Sequence, residues 1–120
     1  QHIEYCNQNA MQVIQPYVGT CGGITEINKI CDMAHVFDVG VQVHACGSPL
    51  STAAALHLEC AIPNFVIHEH HTYALSPYNK ELCIHDYQPV NGKFSVPDVP
   101  GLGNELSEVA VRNCDRVTIQ

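Results

Sequence analysis

Residues 41–70, VQVHACGSPLSTAAALHLECAIPNFVIHEH, decide the fold. In VQVHAC (41–46) apolar and polar residues alternate, the pattern of a strand with one buried face. Ser48-Pro49 is a helix start: the Ser hydroxyl can cap free backbone N–H groups, and Pro fits the first turn. The helix is expected from about Leu50 to Cys60. Pro63-Asn64 ends the connection, and FVIHEH (65–70) reads as the next strand.

The same alternation extends toward the N-terminus. VIQPYV (13–18) reads as a short strand, and Gly19 opens a loop running to Gly22-Gly23. From Ile24 to Phe37, apolar residues recur at intervals of three and four (Ile24, Ile27, Ile30, Cys31, Ala34, Phe37). That spacing predicts an amphipathic helix with one face on a sheet, closed by Asp38-Val39-Gly40 with Gly40 as the stop. Residues 2–12 read as the end of a weak helix. The order strand, helix, strand, helix, strand predicts right-handed βαβ units and a parallel sheet, an α/β fold. Residues 72–120 differ. With Pro77, Pro89, Pro97 and Pro100 they read as a loop-rich tail holding one short helix near Glu105–Asn113 and a final strand, Arg116–Gln120. Asn79, Lys80 and Glu81 read as a solvated turn. The chain thus divides into 1–71 and 72–120. Because it begins at Gln1 inside a helical pattern, it is expected to be a piece of a longer polypeptide.

The formal charge of −7, without a Lys/Arg-rich run or any Trp, argues against nucleic acid as a partner. No apolar stretch approaches the roughly 18 residues of a membrane span. The seven cysteines are odd in number and form no C-x-x-C pair. Buried free thiols in a reducing, cytoplasmic setting are expected.

In a parallel α/β sheet, functional groups gather at the C-terminal ends of the strands. Those ends carry Gln15 and Tyr17, then His44, then His68-Glu69-His70-His71. Alternation puts Gln15 and Tyr17 on the face of Val13, His44 on the face of Gln42 and Cys46, and Glu69 on the face of Phe65 and Ile67, with His68 and His70 on the other. A carboxylate ending an apolar strand face needs a partner or a purpose. A His and a carboxylate on adjacent strand ends are well placed for proton transfer to a bound acid. Taken singly, each has a plainer reading: His44 as a core histidine, Glu69 bonded to a loop amide, Tyr17 as packing, His70 and His71 as solvated. His2, His35, His57 and His85 read as structural.

Four segments together resemble the mandelate racemase subgroup of the enolase superfamily, and within it the mannonate- and galactonate-type sugar-acid dehydratases. They are Gln15-Pro16 with Gly22-Gly23-Ile24-Thr25-Glu26; Val43-His44 with Ser48-Pro49 and Ala53-Ala54-Ala55-Leu56-His57-Leu58; Ala61-Ile62-Pro63-Asn64-Phe65 with Ile67 and Glu69; and Pro97-Asp98-Val99-Pro100-Gly101-Leu102-Gly103. The resemblance implies strands six to eight of a partial (β/α)₈-type TIM barrel, with a tail returning toward a capping domain. A complete barrel usually needs roughly 250 residues, and this chain has 120. It implies removal of the proton α to a carboxylate, an enediolate on Mg²⁺ and loss of the β-hydroxyl, with a small sugar acid as substrate and a homo-oligomer as the assembly. His44 matches the seventh-strand histidine, a base in racemases or the acid toward the leaving hydroxyl in dehydratases. Glu69 matches the eighth-strand glutamate that bonds the substrate carboxylate. Tyr17, Gln15 and His70 are candidate substrate contacts. Tyr17 stands where many relatives carry an Asp that orients the histidine, and a neutral phenol cannot raise a histidine's basicity as a carboxylate would. The Mg²⁺ ligands implied by the resemblance lie outside this segment, which therefore contributes no metal residues.

Three other readings remain open at this point: a non-catalytic relative or truncated pseudo-enzyme of the same fold, a racemase of the same superfamily, and a transition-metal protein using His68, His70 and His71. Histidines two apart on a strand share a face and can chelate.

Overall fold

A computed structural model describes residues 2–71 and 75–118. Helix α1 (His2–Asn7) is followed by strand β1 (Val13–Ile14), helix α2 (Ile24–Val36), strand β2 (Gly40–Val41), helix α3 (Pro49–Ala61), and the short helices α4 (Pro77–Glu81) and α5 (Glu108–Asn113). β1 and β2 pair in parallel, with Val13 beside Gly40 and Ile14 beside Val41. A third segment joins through one parallel bridge from Val41 to Phe65. The architecture is α/β with a small parallel sheet, in the predicted order.

The strands are shorter than the predicted 13–18, 41–46 and 65–70, and Pro16 explains much of this. The backbone N–H groups of Gly40, Gln42 and His44 donate in turn to the carbonyls of Gln12, Ile14 and Pro16, at 2.9, 3.0 and 3.0 Å. In this alternation the return bond to the Gln42 carbonyl would come from residue 16, and Pro has no N–H to give. The chains therefore run side by side to Tyr17 and His44 with only half the ladder.

One face of the sheet is covered. Ile14, Val41 and Val43 are buried against Ile27, Cys31 and Ala34 of α2 and against Ala55 and Leu58 of α3. Full burial of an aliphatic side chain such as Ile27 contributes about 1.5–3 kcal/mol. The Ser48 hydroxyl caps α3 by accepting the Ser51 N–H at 3.4 Å, with Pro49 in the first turn as predicted. Asn64 ties the layers together: its amide donates to the carbonyls of Cys31 (3.1 Å) and Val39 (2.9 Å).

Other boundaries differ from expectation. The first helix stops at Asn7, and Asn9 takes a left-handed conformation at φ 51°. α2 is ended by Asp38 at φ 56°, so Gly40 is released to begin β2. Residues 79–81 belong to α4, with Asn79 fully buried rather than solvated. The tail helix begins at Glu108 because Ser107 caps it, accepting the Ala110 N–H at 3.1 Å. Residues 116–118 form no strand, and 119–120 lie outside the described residues. The tail is held by Asn104, which accepts the His85 N–H (3.1 Å) and donates to the His85 carbonyl (3.0 Å), and by the Tyr87 hydroxyl donating to the Gly103 carbonyl. All seven cysteines are free; Cys6, Cys31 and Cys83 are buried, while Cys60 and Cys114 are exposed, against the expectation of burial. Among the described residues no helix is long and apolar enough to cross a membrane.

Candidate functional site

The second sheet face carries Val13, Gln15 and Tyr17, then Gln42, His44 and Cys46, and from the third segment Val66, set against Gly40, and Glu69; Phe65, expected on this face, pairs in register with Val41 and so turns to the helix side. Along the second segment alternation dictates this: Val41, Val43 and Ala45 are buried, whereas Gln42, His44 and Cys46 between and beyond them are partly exposed. At its C-terminal end, His44 Nδ1 lies 2.7 Å from Glu69 Oε2. The same oxygen accepts the Ala45 backbone N–H at 2.9 Å. Glu69 thus reaches from the third segment to the end of the second and fixes one edge of the imidazole. The other edge faces Cys46, with Nε2 to Sγ at 2.9 Å. Tyr17 lies opposite His44 across the sheet, their rings perpendicular with centroids 5.5 Å apart.

Two glycines seat Tyr17. A Cβ on Gly47 would lie 2.4 Å from the Tyr17 hydroxyl, and one on Gly19 would lie 2.7 Å from its ring. Both contacts are closer than carbon atoms tolerate, so the ring's position against His44 depends on bare backbone on two sides. Gln15 is exposed on the same face.

From the first strand His44 meets the phenol of Tyr17, and the carboxylate at its Nδ1 comes from elsewhere. Glu69 supplies it from another strand end. His70 is not brought to this site. Its Nε2 is 3.1 Å from the Gln88 side-chain oxygen and its ring packs on Phe94, on the helix side of the sheet. His68 is on that side too. Its Nδ1 meets Glu59 of α3 at 2.8 and 3.0 Å, and this pair is almost wholly buried. His68 and His70 are therefore directed to separate protein partners, His71 is exposed, and among the described residues no three His, Cys, Asp or Glu side chains converge as a metal requires.

Sequence reasoning missed Cys46, Gly19, Gly47 and Glu59. Cys46 was legible in part, since residues two apart on a strand share a face. Glu59 carried a signal as well: a carboxylate within the apolar run LHLEC calls for a buried partner. The glycine seats depend on where the Tyr17 ring falls in space.

Comparison with known proteins bears on this arrangement. A family described as enolase C-terminal domain-like matches residues 1–110. A D-xylonate dehydratase of Haloferax volcanii is 35% identical over 102 residues, covering 85% of this chain and 24% of that protein. A crystal structure of an enolase superfamily member from Salmonella Typhimurium superposes with a TM-score of 0.93 at 52% identity, over 98% of this chain and 30% of its own. An enolase from Pantoea ananatis with bound D-gluconate and Mg superposes with a TM-score of 0.79 at 26% identity, over 91% of this chain and 26% of its own. The chain spans about a quarter of the length of the curated relatives it matches.

Proposed function

This chain belongs to the enolase C-terminal domain-like family, and from that premise we propose that it supplies the ends of strands six to eight of a (β/α)-barrel sugar-acid dehydratase. The observation that carries the proposal is the His44–Glu69 contact, 2.7 Å across neighbouring strand ends on the open sheet face. The name of the Haloferax volcanii relative and the sugar acid in the Pantoea ananatis structure support an aldonate as the substrate class. Seven unpaired cysteines support a reducing compartment.

The reaction removes the Cα proton beside the substrate carboxylate and expels the β-hydroxyl as water. The enol that remains then tautomerises to a 2-keto acid. His44 is assigned the proton transfer at the leaving hydroxyl: Nε2, unprotonated at rest, takes up a proton that balances the one removed from Cα and gives it to the departing oxygen as water forms. With Glu69 on Nδ1 the ring is oriented, and the carboxylate is in place to balance the charge that appears whenever Nε2 takes a proton. Tyr17 shields the ring from the side of the first strand and limits its swing. Gln15, exposed on the same face, is assigned a polar contact to the substrate.

Mg²⁺ takes about six oxygen ligands in near-octahedral geometry. The residues of this segment do not fit that ion: at His44 they offer Glu69, whose Oε2 already holds two donors, and no further metal-ligating group converges there among the described residues. No step is assigned to the ion here, and its ligands would belong to other parts of the complete protein. The test is to incubate the complete polypeptide and Mg²⁺ with a panel of aldonates and follow 2-keto acid formation. Turnover of at least one aldonate supports the proposal, and none across the panel means a non-catalytic relative.

A further inference from the structure

The imidazole of His44 is engaged at both nitrogens. Nδ1 faces Glu69 Oε2 at 2.7 Å, and Nε2 faces Cys46 Sγ at 2.9 Å. A carboxylate only accepts, so Nδ1 is the nitrogen that donates to it. A neutral imidazole carries one N–H and one lone pair. With the N–H committed to Glu69, the lone pair of Nε2 points at the thiol, and the thiol donates. The Ala45 N–H holds Glu69 Oε2 from the backbone, and the Tyr17 ring stands edge-on to the imidazole. Among the described residues, Glu69 from the third segment, Tyr17 from the first and Cys46 from the same segment are the polar groups set around this ring.

We propose that Cys46 is a positioning residue for His44. Its thiol hydrogen-bonds Nε2 and, together with Glu69 on Nδ1, holds the imidazole ring in place with its acceptor lone pair facing the open sheet face. A substrate hydroxyl then takes the thiol's place. This rests on the dehydratase reading for its catalytic meaning, though not for its geometry. A thiol suits the task because it is a weak donor: it orders the ring yet yields to an incoming hydroxyl at little cost. Serine would keep the order but yield less readily, and alanine would lose the order.

The experiment uses the complete polypeptide with ¹⁵N-labelled histidine at mildly alkaline pH, the His44 signals being assigned by their loss in His44→Gln. In the wild type the two nitrogens should separate as Nδ1–H and unprotonated Nε2. With Glu69 still holding Nδ1–H, Cys46→Ala should keep the tautomer but shift the unprotonated Nε2 signal, which loses its donor, and Cys46→Ser should restore the wild-type shift. On an aldonate that turns over, Cys46→Ala should lower kcat about fivefold, the effect of one ordinary hydrogen bond, while Cys46→Ser should keep kcat and raise KM. An Nε2 signal unshifted in Cys46→Ala overturns the inference, whatever the turnover. Absence of turnover with the predicted Nε2 shift would instead sink the dehydratase reading and leave the role of Cys46 standing.

Discussion

Glu69 Oε2 accepts from both His44 Nδ1 (2.7 Å) and the Ala45 backbone N–H (2.9 Å), so one carboxylate oxygen locks a side chain and the strand that carries it. The two segments need not be paired along their length for this. They share one bridge, Val41 to Phe65, and the extended chain beyond it brings the ends together. The site is therefore only as rigid as that carboxylate and the packing behind Val41 and Val43.

The seat of Tyr17 gives a first prediction. Gly47→Ala places a methyl 2.4 Å from the Tyr17 hydroxyl and 3.1 Å from Ser51 Cβ. The variant should lose about 1–3 kcal/mol, the usual cost of overpacking, read as a lower denaturation midpoint. Tyr17→Phe in the same background removes the clashing oxygen and should recover part of the loss. Equal stability of Gly47→Ala and wild type would show that the ring is not confined as described.

A second prediction concerns the buried pair on the other sheet face. His68 Nδ1 and Glu59 Oε2 are 2.8 Å apart, with side chains 9% and 4% exposed. Glu59→Ala leaves His68 without its partner and should cost about 3–5 kcal/mol. Replacing both residues by Leu should cost less than Glu59→Ala alone, because no polar group is then stranded. Urea denaturation of the three variants decides it.

Alkaline pH supplies a third. Burial, with smaller contributions from Asp32 and Cys21, pushes the Cys31 thiol up to about 11 from its ordinary 9.0. The folded state thus holds this proton more tightly than the unfolded state. The stability it contributes is complete below pH 9.0 and is lost as pH rises toward about 11. Cys31→Ala should flatten the alkaline limb of a stability–pH curve, whatever it costs at neutral pH. In the folded protein near neutrality, iodoacetamide should label exposed Cys60 and Cys114 and leave Cys31 unreacted.

Much of this was legible in residues 41–70. Alternation in VQVHAC set His44 apart from the buried Val41, Val43 and Ala45, and Ser48-Pro49 marked the start of α3. The strand lengths were not legible, because apolar character does not reveal that Pro16 withholds a ladder bond. Asp38 was missed as the end of α2 because a non-glycine residue at φ 56° is uncommon, and Gly40 offered the easier stop. At the site, the sequence placed His44 and Glu69 on adjacent strand ends, yet the choice of nitrogen depends on how far the third segment reaches. His70 was grouped with the site because it neighbours Glu69 in the chain. On an extended segment that adjacency turns it to the opposite face, where Gln88 and Phe94 from the tail receive it.

The most direct test of the central claim, that His44 and Glu69 act as one unit, is a double-mutant comparison of kcat/KM in the complete polypeptide on an aldonate it dehydrates. His44→Ala and Glu69→Gln should each lower it, by about 10²–10⁴-fold for the proton-transfer residue. The double variant should fall no further than His44→Ala alone, because the carboxylate acts through the ring. Losses that multiply in the double variant, or near wild-type turnover in either single variant, would contradict the account.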